Sequence, residues 1–309
     1  MSNLLGKVGS AFRDLSRDVK QDVGAVEKKA RNAVARLEGG VDVSMGPLGK
    51  APALKRPLVM ITGLTMQASS FDPMARHLAG NPANGKVAVY VVQDGKFHAG
   101  GVGGKVMDAA AVRQSKLFEV QYPDVKAAPS VKAPQIAQAM RAITAATGQH
   151  DVDVVCHSAG CTDFRLYLDG RKGSDRLIGI SRAIFIGPAS HGTEMGNLGN
   201  AIGAPLGLKK AGAELAVGSP LINGLNSRWN RQSEQVKGGV TIIGLQGAPT
   251  ATPNGIQDGD GYMAAASVGM PGAKQILLRG IDPTPLMHLW EVHYSGVINA
   301  IDQTLGATS

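Results

Sequence analysis

The 309-residue sequence predicts an α/β architecture, a mainly parallel sheet with helices on both faces, a cap or lid insert and an N-terminal amphipathic helix. Three observations carry that expectation. Short apolar runs alternate with helical segments from residue 57 onward. One of these runs, Val152-Asp153-Val154-Val155-Cys156-His157, stops at Ser158 and continues through Ala159-Gly160 as a helix. The first forty residues follow a separate, eleven-residue apolar period.

Composition narrows the class. A hydrophobic fraction of 43% with only 18% charged residues suits a folded, enzyme-sized domain and excludes a disordered chain. The net charge of +8 is scattered, and five tyrosines and six phenylalanines leave little to stack on bases, so no nucleic-acid partner is expected. Cys156 and Cys161 are the two cysteines. A disulfide between a strand end and the first turn of the next helix is geometrically unfavourable, so a reducing compartment is permitted. No apolar stretch reaches the length of a membrane span, and residues 1–10 lack the basic start and apolar core of a signal peptide. A cytoplasmic location is the expectation, with lipid association and non-classical export left open.

Along the chain, Val8, Phe12, Leu15, Val19, Val23, Val26, Ala30, Val34 and Leu37 form the apolar stripe of a helical extension over residues 1–45. It packs on the main domain or a second copy, or lies on a membrane or lipid surface through residues 1–40. Residues 46–56, rich in glycine, alanine and proline, read as a linker to a domain spanning 57–309. Strands are expected at 57–62, 87–92, 152–157, 181–187, 240–244 and 274–279. Helices are expected near 71–78 and 133–147, after Ser158, and from about 290 to 305. Residues 190–238, glycine-bearing and without a strong strand, read as a cap or lid.

The serine at the strand-to-helix junction carries the chemistry. Backbone strain and the following helix N-terminus favour a nucleophile there, and the amide of Ala159 can help hold an oxyanion. Gly160 provides the small residue the close strand–helix approach needs; Cys156 stands where the G-x-S-x-G pattern has its first glycine. Such a serine needs a base and a group to orient it. Asp260, in Asp258-Gly259-Asp260-Gly261-Tyr262, is the acid candidate with Asp258 as rival, and His288 is the base candidate with His293 as rival. His157 reads as support for the turn, pointing away from the serine. His191 follows a strand and could line the cleft, whereas His77, His98 and His150 read as surface residues. Gly100-Gly101-Val102-Gly103-Gly104-Lys105 lacks the first glycine and the Ser/Thr of a phosphate loop, and the aspartates lack calcium-loop spacing. No cofactor or metal is expected.

With serine, acid and histidine in that order, residues 57–305 resemble the α/β-hydrolase superfamily, in particular its bacterial triacylglycerol lipase and esterase group. Pro57-Leu58-Val59-Met60-Ile61-Thr62-Gly63-Leu64 is similar to the strand those enzymes end in His-Gly-X, with Thr62 in place of histidine. The resemblance implies Leu64 and Ala159 as oxyanion-hole amides. Ile184-Phe185-Ile186-Gly187-Pro188 through Thr193 is similar to the group's strand ending in Pro-His-X-Gly-Thr, and residues 218–226 to a segment of its cap helices. Gly259-Asp260-Gly261-Tyr262-Met263 with Ser267 resembles the group's Gly-Asp-Gly-Val-Val followed by Ser, and His288 with Ser295 and Val297 resembles its histidine and the start of its last helix; the resemblance thus implies Asp260 over Asp258 and His288 over His293. The implied activity is serine-dependent hydrolysis of carboxylic esters, acylglycerol-type lipids foremost, through a catalytic Ser158, Asp260 and His288. A polyester depolymerase, thioesterase or acyltransferase with the same residues, or a non-catalytic lipid- or partner-binding fold, are the alternatives.

Overall fold

The computed structural model describes residues 47–101, 103–193, 207–252, 255–279 and 287–306. The expected N-terminal helix and residues 194–206 of the cap lie outside them. Residues 47–55 contain no helix or strand. They are nevertheless docked: Leu54 and Ala51 are buried, the Leu54 amide donates to Asn84 Oδ1, and Asn81 and Asn84 donate to the carbonyls of Ala51 and Pro52. The stretch is irregular because of its composition, and fixed because its carbonyls and amides have partners.

The chain enters the sheet at β1 (Leu58–Ile61), passes a 3-10 turn (Ala68–Phe71) and α1 (Asp72–Ala79), and returns as β2 (Val87–Val91). A hairpin, β3 (Lys96–Ala99) and β4 (Lys105–Val106), and a short helix, α2 (Ala109–Gln114), precede β5 (Leu117–Gln121). Then come α3 (Pro129–Thr147), β6 (Asp151–His157), α4 (Ala159–Gly170) and β7 (Gly179–Ile186). The cap region holds α5 (Lys209–Leu215), α6 (Pro220–Asn230) and α7 (Glu234–Gly238). After β8 (Val240–Leu245), a separate hairpin of β9 (Ala248–Thr252) and β10 (Gly255–Gly259) leads through α8 (Ala265–Val268) to β11 (Lys274–Leu278). A helical turn, α9 (Met287–Trp290), a 3-10 turn (Glu291–His293) and α10 (Ser295–Gly306) close the described chain.

The described strands form a sheet in the order β11-β8-β7-β6-β1-β5-β2-β3-β4. From β11 to β2 every pairing is parallel, and β2–β3 and β3–β4 at the edge are antiparallel. The pleat divides the core in two. Val59 and Ile61 of β1 join Val154, Phe118, Ile136 and Phe164 on one face. Leu58 and Met60 join Val155, Ile184, Met74 and Ile301 on the other. Burial on both faces explains the near-continuous apolar runs from which these strands are readable.

Five described strands, β3, β4, β5, β9 and β10, lie outside the expected ones, and the central one among them has a physical reason. β5, beside β1 in the centre of the sheet, is absent from the sequence reading because Glu119 and Gln121 interrupt its apolar run, yet both are buried. Gln121 is satisfied, accepting from the Ala68 amide and donating to the Tyr122 carbonyl. Glu119 keeps one oxygen without a hydrogen bond, and burial pushes its carboxyl up to about 8. The glycine run ending at Lys105, outside the strands expected from sequence, leads into β4 of the β3–β4 hairpin, with His98 bonded to both the Gly104 carbonyl and the Asp94 carboxylate.

Candidate active site

Ser158 sits between β6 and α4 with φ 54° and ψ −129°, a left-handed conformation that a non-glycine residue adopts only at a cost. Its amide donates to the Ile186 carbonyl of the neighbouring strand, and its carbonyl accepts from Cys161. These bonds hold the turn while the residue remains partly exposed. Gly160 is required where it stands: a Cβ there would lie 2.4 Å from the Thr62 carbonyl oxygen and 2.8 Å from that of Ile61. Cys156, two residues before the serine, follows the strand's pleat into the core and is fully buried. Its small, apolar-tolerant thiol explains why the first glycine of the pattern is dispensable here.

The loop after β1 lies against this turn. A Cβ at Gly63 would come within 3.0 Å of Ser158 Cβ, and the Thr62 hydroxyl donates to the Met66 carbonyl across the loop. Leu64 therefore follows a residue in contact with the serine. Ala159 opens α4, and the first amides of a helix have no intrahelical acceptor. Both amides suggested by the sequence thus belong to segments that abut Ser158.

His288 lies in α9, and its amide donates to the Asp260 carbonyl. Its Nε2 is 2.7 Å from Ser158 Oγ, and its Nδ1 is 2.9 Å from Asp260 Oδ2. With the proton on Nδ1 donated to the carboxylate, Nε2 is left to accept the serine proton. Asp260 is pinned in turn, its other oxygen accepting from the amides of Tyr262 at 2.8 Å and Met263 at 2.6 Å. The His288 ring lies between the Tyr262 ring, stacked at 5.3 Å, and the His157 ring at 4.9 Å. Asp258, the rival acid, instead accepts from the Gly247 amide, and His293, the rival base, bonds the Ser70 carbonyl. His191 is exposed and bonded to the Gly269 carbonyl.

His157, expected as turn support pointing away from the serine, is wholly buried, its ring against that of His288 and its Nε2 2.9 Å from Glu291 Oε2. Glu291 was not singled out from the sequence. Its signal was the three-residue spacing from His288 on a helical turn, which puts two side chains on one face. Glu291 Oε2 is 3.4 Å from His288 Nδ1, so two carboxylates face the same ring nitrogen.

The titration directions follow. Burial alone would lower His288, but the charges of Asp260 and Glu291 hold it well above the usual histidine value. Burial pushes Asp260 up to about 6 against the pull of His288. Burial would also raise Glu291, yet His288 and the hydrogen bond from His157 bring it down to about 2. Burial lowers His157, which leaves it a neutral donor. His157, His288 and Glu291 offer ligand atoms within 4.8 Å of one another, the one such cluster among the described residues. Their direct hydrogen bonds and complete burial fit a proton network better than a metal site.

No protein-family model and no curated protein matches the sequence. Solved structures do. The product of the gene lin2722 from Listeria innocua aligns with a TM-score of 0.55 at 18% identity, over 82% of this chain and 95% of that one. The Bacillus licheniformis lipase BlEst2 in its mature form aligns with a TM-score of 0.52 at 14% identity, over 87% of this chain and 100% of that one. At such identities the likeness establishes the fold: the chain has the α/β-hydrolase fold. No helix among the described residues is long and apolar enough to cross a membrane.

Proposed function

We propose that the protein is a serine hydrolase of carboxylic esters, acting on acylglycerol-type or other water-insoluble esters. One observation carries the reading: a serine in a strained strand-to-helix turn has its Oγ 2.7 Å from His288 Nε2, whose Nδ1 is 2.9 Å from a pinned aspartate. Ser158 attacks the acyl carbonyl while His288 takes its proton. The amides of Leu64 and Ala159 receive the tetrahedral oxyanion, with the N-terminus of α4 adding a favourable dipole. His288 then returns the proton to the leaving alcohol, and Asp260 keeps its tautomer and offsets its charge. Water, deprotonated by the same histidine, releases the carboxylic acid from the acyl-enzyme and restores Ser158.

The lipid preference draws on the likeness to a solved lipase and on the insert between β7 and β8, part of which packs as α6 against α4 through Arg165 and Asn226. The apolar stripe within residues 1–40 is proposed as the contact with a lipid surface. The test is hydrolysis of p-nitrophenyl esters from acetyl to palmitoyl by the wild type and Ser158→Ala. Serine-dependent turnover that rises with chain length is expected. Turnover retained in Ser158→Ala refutes the mechanism, and turnover confined to short chains refutes the lipid assignment.

A further inference from the structure

His98, expected at the surface, is buried on β3, the middle strand of the antiparallel edge, and has no part in the mechanism proposed for Ser158. The pleat sets it opposite Phe97, whose ring packs against Tyr90 and Phe118 on the core side. Its register partners are Val89 on β2 and Val106 on β4. Both of its ring nitrogens face oxygen: Nδ1 lies 2.9 Å from the Gly104 carbonyl and Nε2 2.8 Å from Asp94 Oδ2. A neutral imidazole has one N–H and serves one of these acceptors, which leaves a lone pair against the other. Two acceptors at hydrogen-bond distance therefore call for the imidazolium.

The two acceptors belong to the two connections of this edge. Asp94 lies in the turn between β2 and β3, where its other oxygen accepts from the Lys96 amide. Gly104 closes the glycine run between β3 and β4; its amide donates to the Gly101 carbonyl, and a Cβ on it would run into the Ala99 carbonyl. Each acceptor is thus fixed by its own connection, and no side chain fits in place of Gly104. Val91, Gln93, Asp94, His98 and Gly103 line a cavity of about 390 Å³, so both connections wall it.

We propose that His98 is a proton-operated clasp on the sheet edge. As an imidazolium it ties the β2–β3 turn to the β3–β4 connection across this cavity. On losing one proton it keeps the Asp94 carboxylate, the stronger acceptor, and releases the Gly104 carbonyl. The β3–β4 connection then loosens, and with it β4, the outermost strand. The charged groups that bear on the ring are Asp94 in the turn and Lys96 on β3; β2 brings none, and β4 brings Lys105 beside Val106. The Gly104 carbonyl, and after it the Asp94 carboxylate, hold the ring above its ordinary 6.5, with burial and Lys96 opposing them. A histidine raised on folding contributes fully below the ordinary value, and that contribution is lost as pH rises through the folded one. The clasp is therefore shut in acid and opens on the alkaline side of pH 6.5.

Two readouts on the full chain test this. The ring nitrogens of His98 are titrated by NMR in 15N-labelled protein. Hydrogen exchange of the Gly104 and Met107 amides is followed over the same range, each rate divided by that of an unstructured chain at that pH. Met107 donates to the Phe97 carbonyl and so reports on the β3–β4 pairing. Both nitrogens are expected to carry protons at pH 6.5 and one to lose its proton above it. Protection should fall with the same midpoint, on the order of tenfold, the worth of one hydrogen bond. Asp94→Asn is expected to lower the midpoint by about one pH unit. In His98→Gln, which does not titrate, protection should no longer follow pH. A ring with a single N–H at pH 6.5, or protection that ignores the His98 titration, overturns the proposal. So does the same pH-dependent protection in His98→Gln. The wild-type readouts decide the matter even where a variant fails to fold, and none of them depends on ester turnover.

Discussion

Two regions of this molecule bury charge, one around His288 and one between α3 and α4, and they treat it differently. Around His288, the oxygens of Asp260 accept from two amides and the imidazole, while Glu291 Oε2 accepts from His157; Glu291 Oε1 is the exception without a hydrogen bond. Behind the serine, between α3 and α4, Lys132 and Asp163 face each other at 3.8 Å, each about 1% exposed. There Lys132 Nζ, both Asp163 oxygens and the Tyr122 hydroxyl lack hydrogen bonds among the described residues. Lys132 lies over the Tyr122 ring at 4.9 Å, and burial pushes Asp163 up to about 7. The first arrangement fixes donors and acceptors in one geometry, as acid–base chemistry needs. The second shows attraction without directed bonds, which costs stability and directs nothing.

The contrast can be broken in order of expected effect. Ser158→Ala should lower turnover on the order of 10⁴-fold or more while circular dichroism and the melting curve stay those of the wild type. In the second region, Asp163→Leu alone should destabilise the fold by about 3–5 kcal/mol in denaturant unfolding, because it strands a buried ammonium. Lys132→Met with Asp163→Leu should recover most of that loss, since replacing both partners by apolar groups removes both desolvation costs. A double variant as unstable as the single one would mean the pair is bonded more tightly than its geometry indicates. Gly160→Ala should cost roughly 1–3 kcal/mol by overpacking against β1 and depress activity with it.

Glu119 sharpens the comparison through pH. Its folded value of about 8 lies above the ordinary 4.5, so the folded state keeps a proton that the unfolded chain has released between those values. Stability from this group is complete below pH 4.5 and declines as pH rises toward 8. Glu119→Gln should flatten that slope in unfolding experiments and raise the melting temperature at pH 8. The opposite trend, a variant less stable at pH 8, would place an ionised partner on Glu119. In the first region the charges act on His288 instead. Raised above its ordinary value, His288 should leave the acid limb of kcat/KM above pH 6.5, with activity rising as the imidazole loses its proton.

Legibility followed the same division. The parallel sheet was readable because strands buried on both faces are continuous apolar runs, as at Val59 and Ile61 against Leu58 and Met60. β5 was not, because buried Glu119 and Gln121 look like surface residues in sequence. Ser158 stood out by the sharp strand-to-helix turn and Asp260 by its glycine-flanked loop, whereas the choice of Asp260 over Asp258 and of His288 over His293 came from the resemblance of their motifs to the bacterial lipase group. Glu291 and His157 meet across 134 positions of sequence, and Glu291 has no glycine or proline beside it to mark a special backbone. Gly187, whose missing side chain leaves room for the carboxylate, follows β7, so only the fold brings the three together. The identity of the acid illustrates the same limit: Asp258 and Asp260 share one loop, and what separates them is that Asp260 turns toward His288 while Asp258 caps the Gly247 amide.

The central claim is that Ser158 is a nucleophile made reactive by His288. The most direct measurement is reaction of the full chain with a fluorophosphonate probe, followed by mass spectrometry of the adduct. A single phosphonyl adduct on Ser158 is expected, formed rapidly by the wild type and slowed by orders of magnitude in His288→Ala. No adduct on Ser158, or labelling equally fast without the histidine, would contradict it.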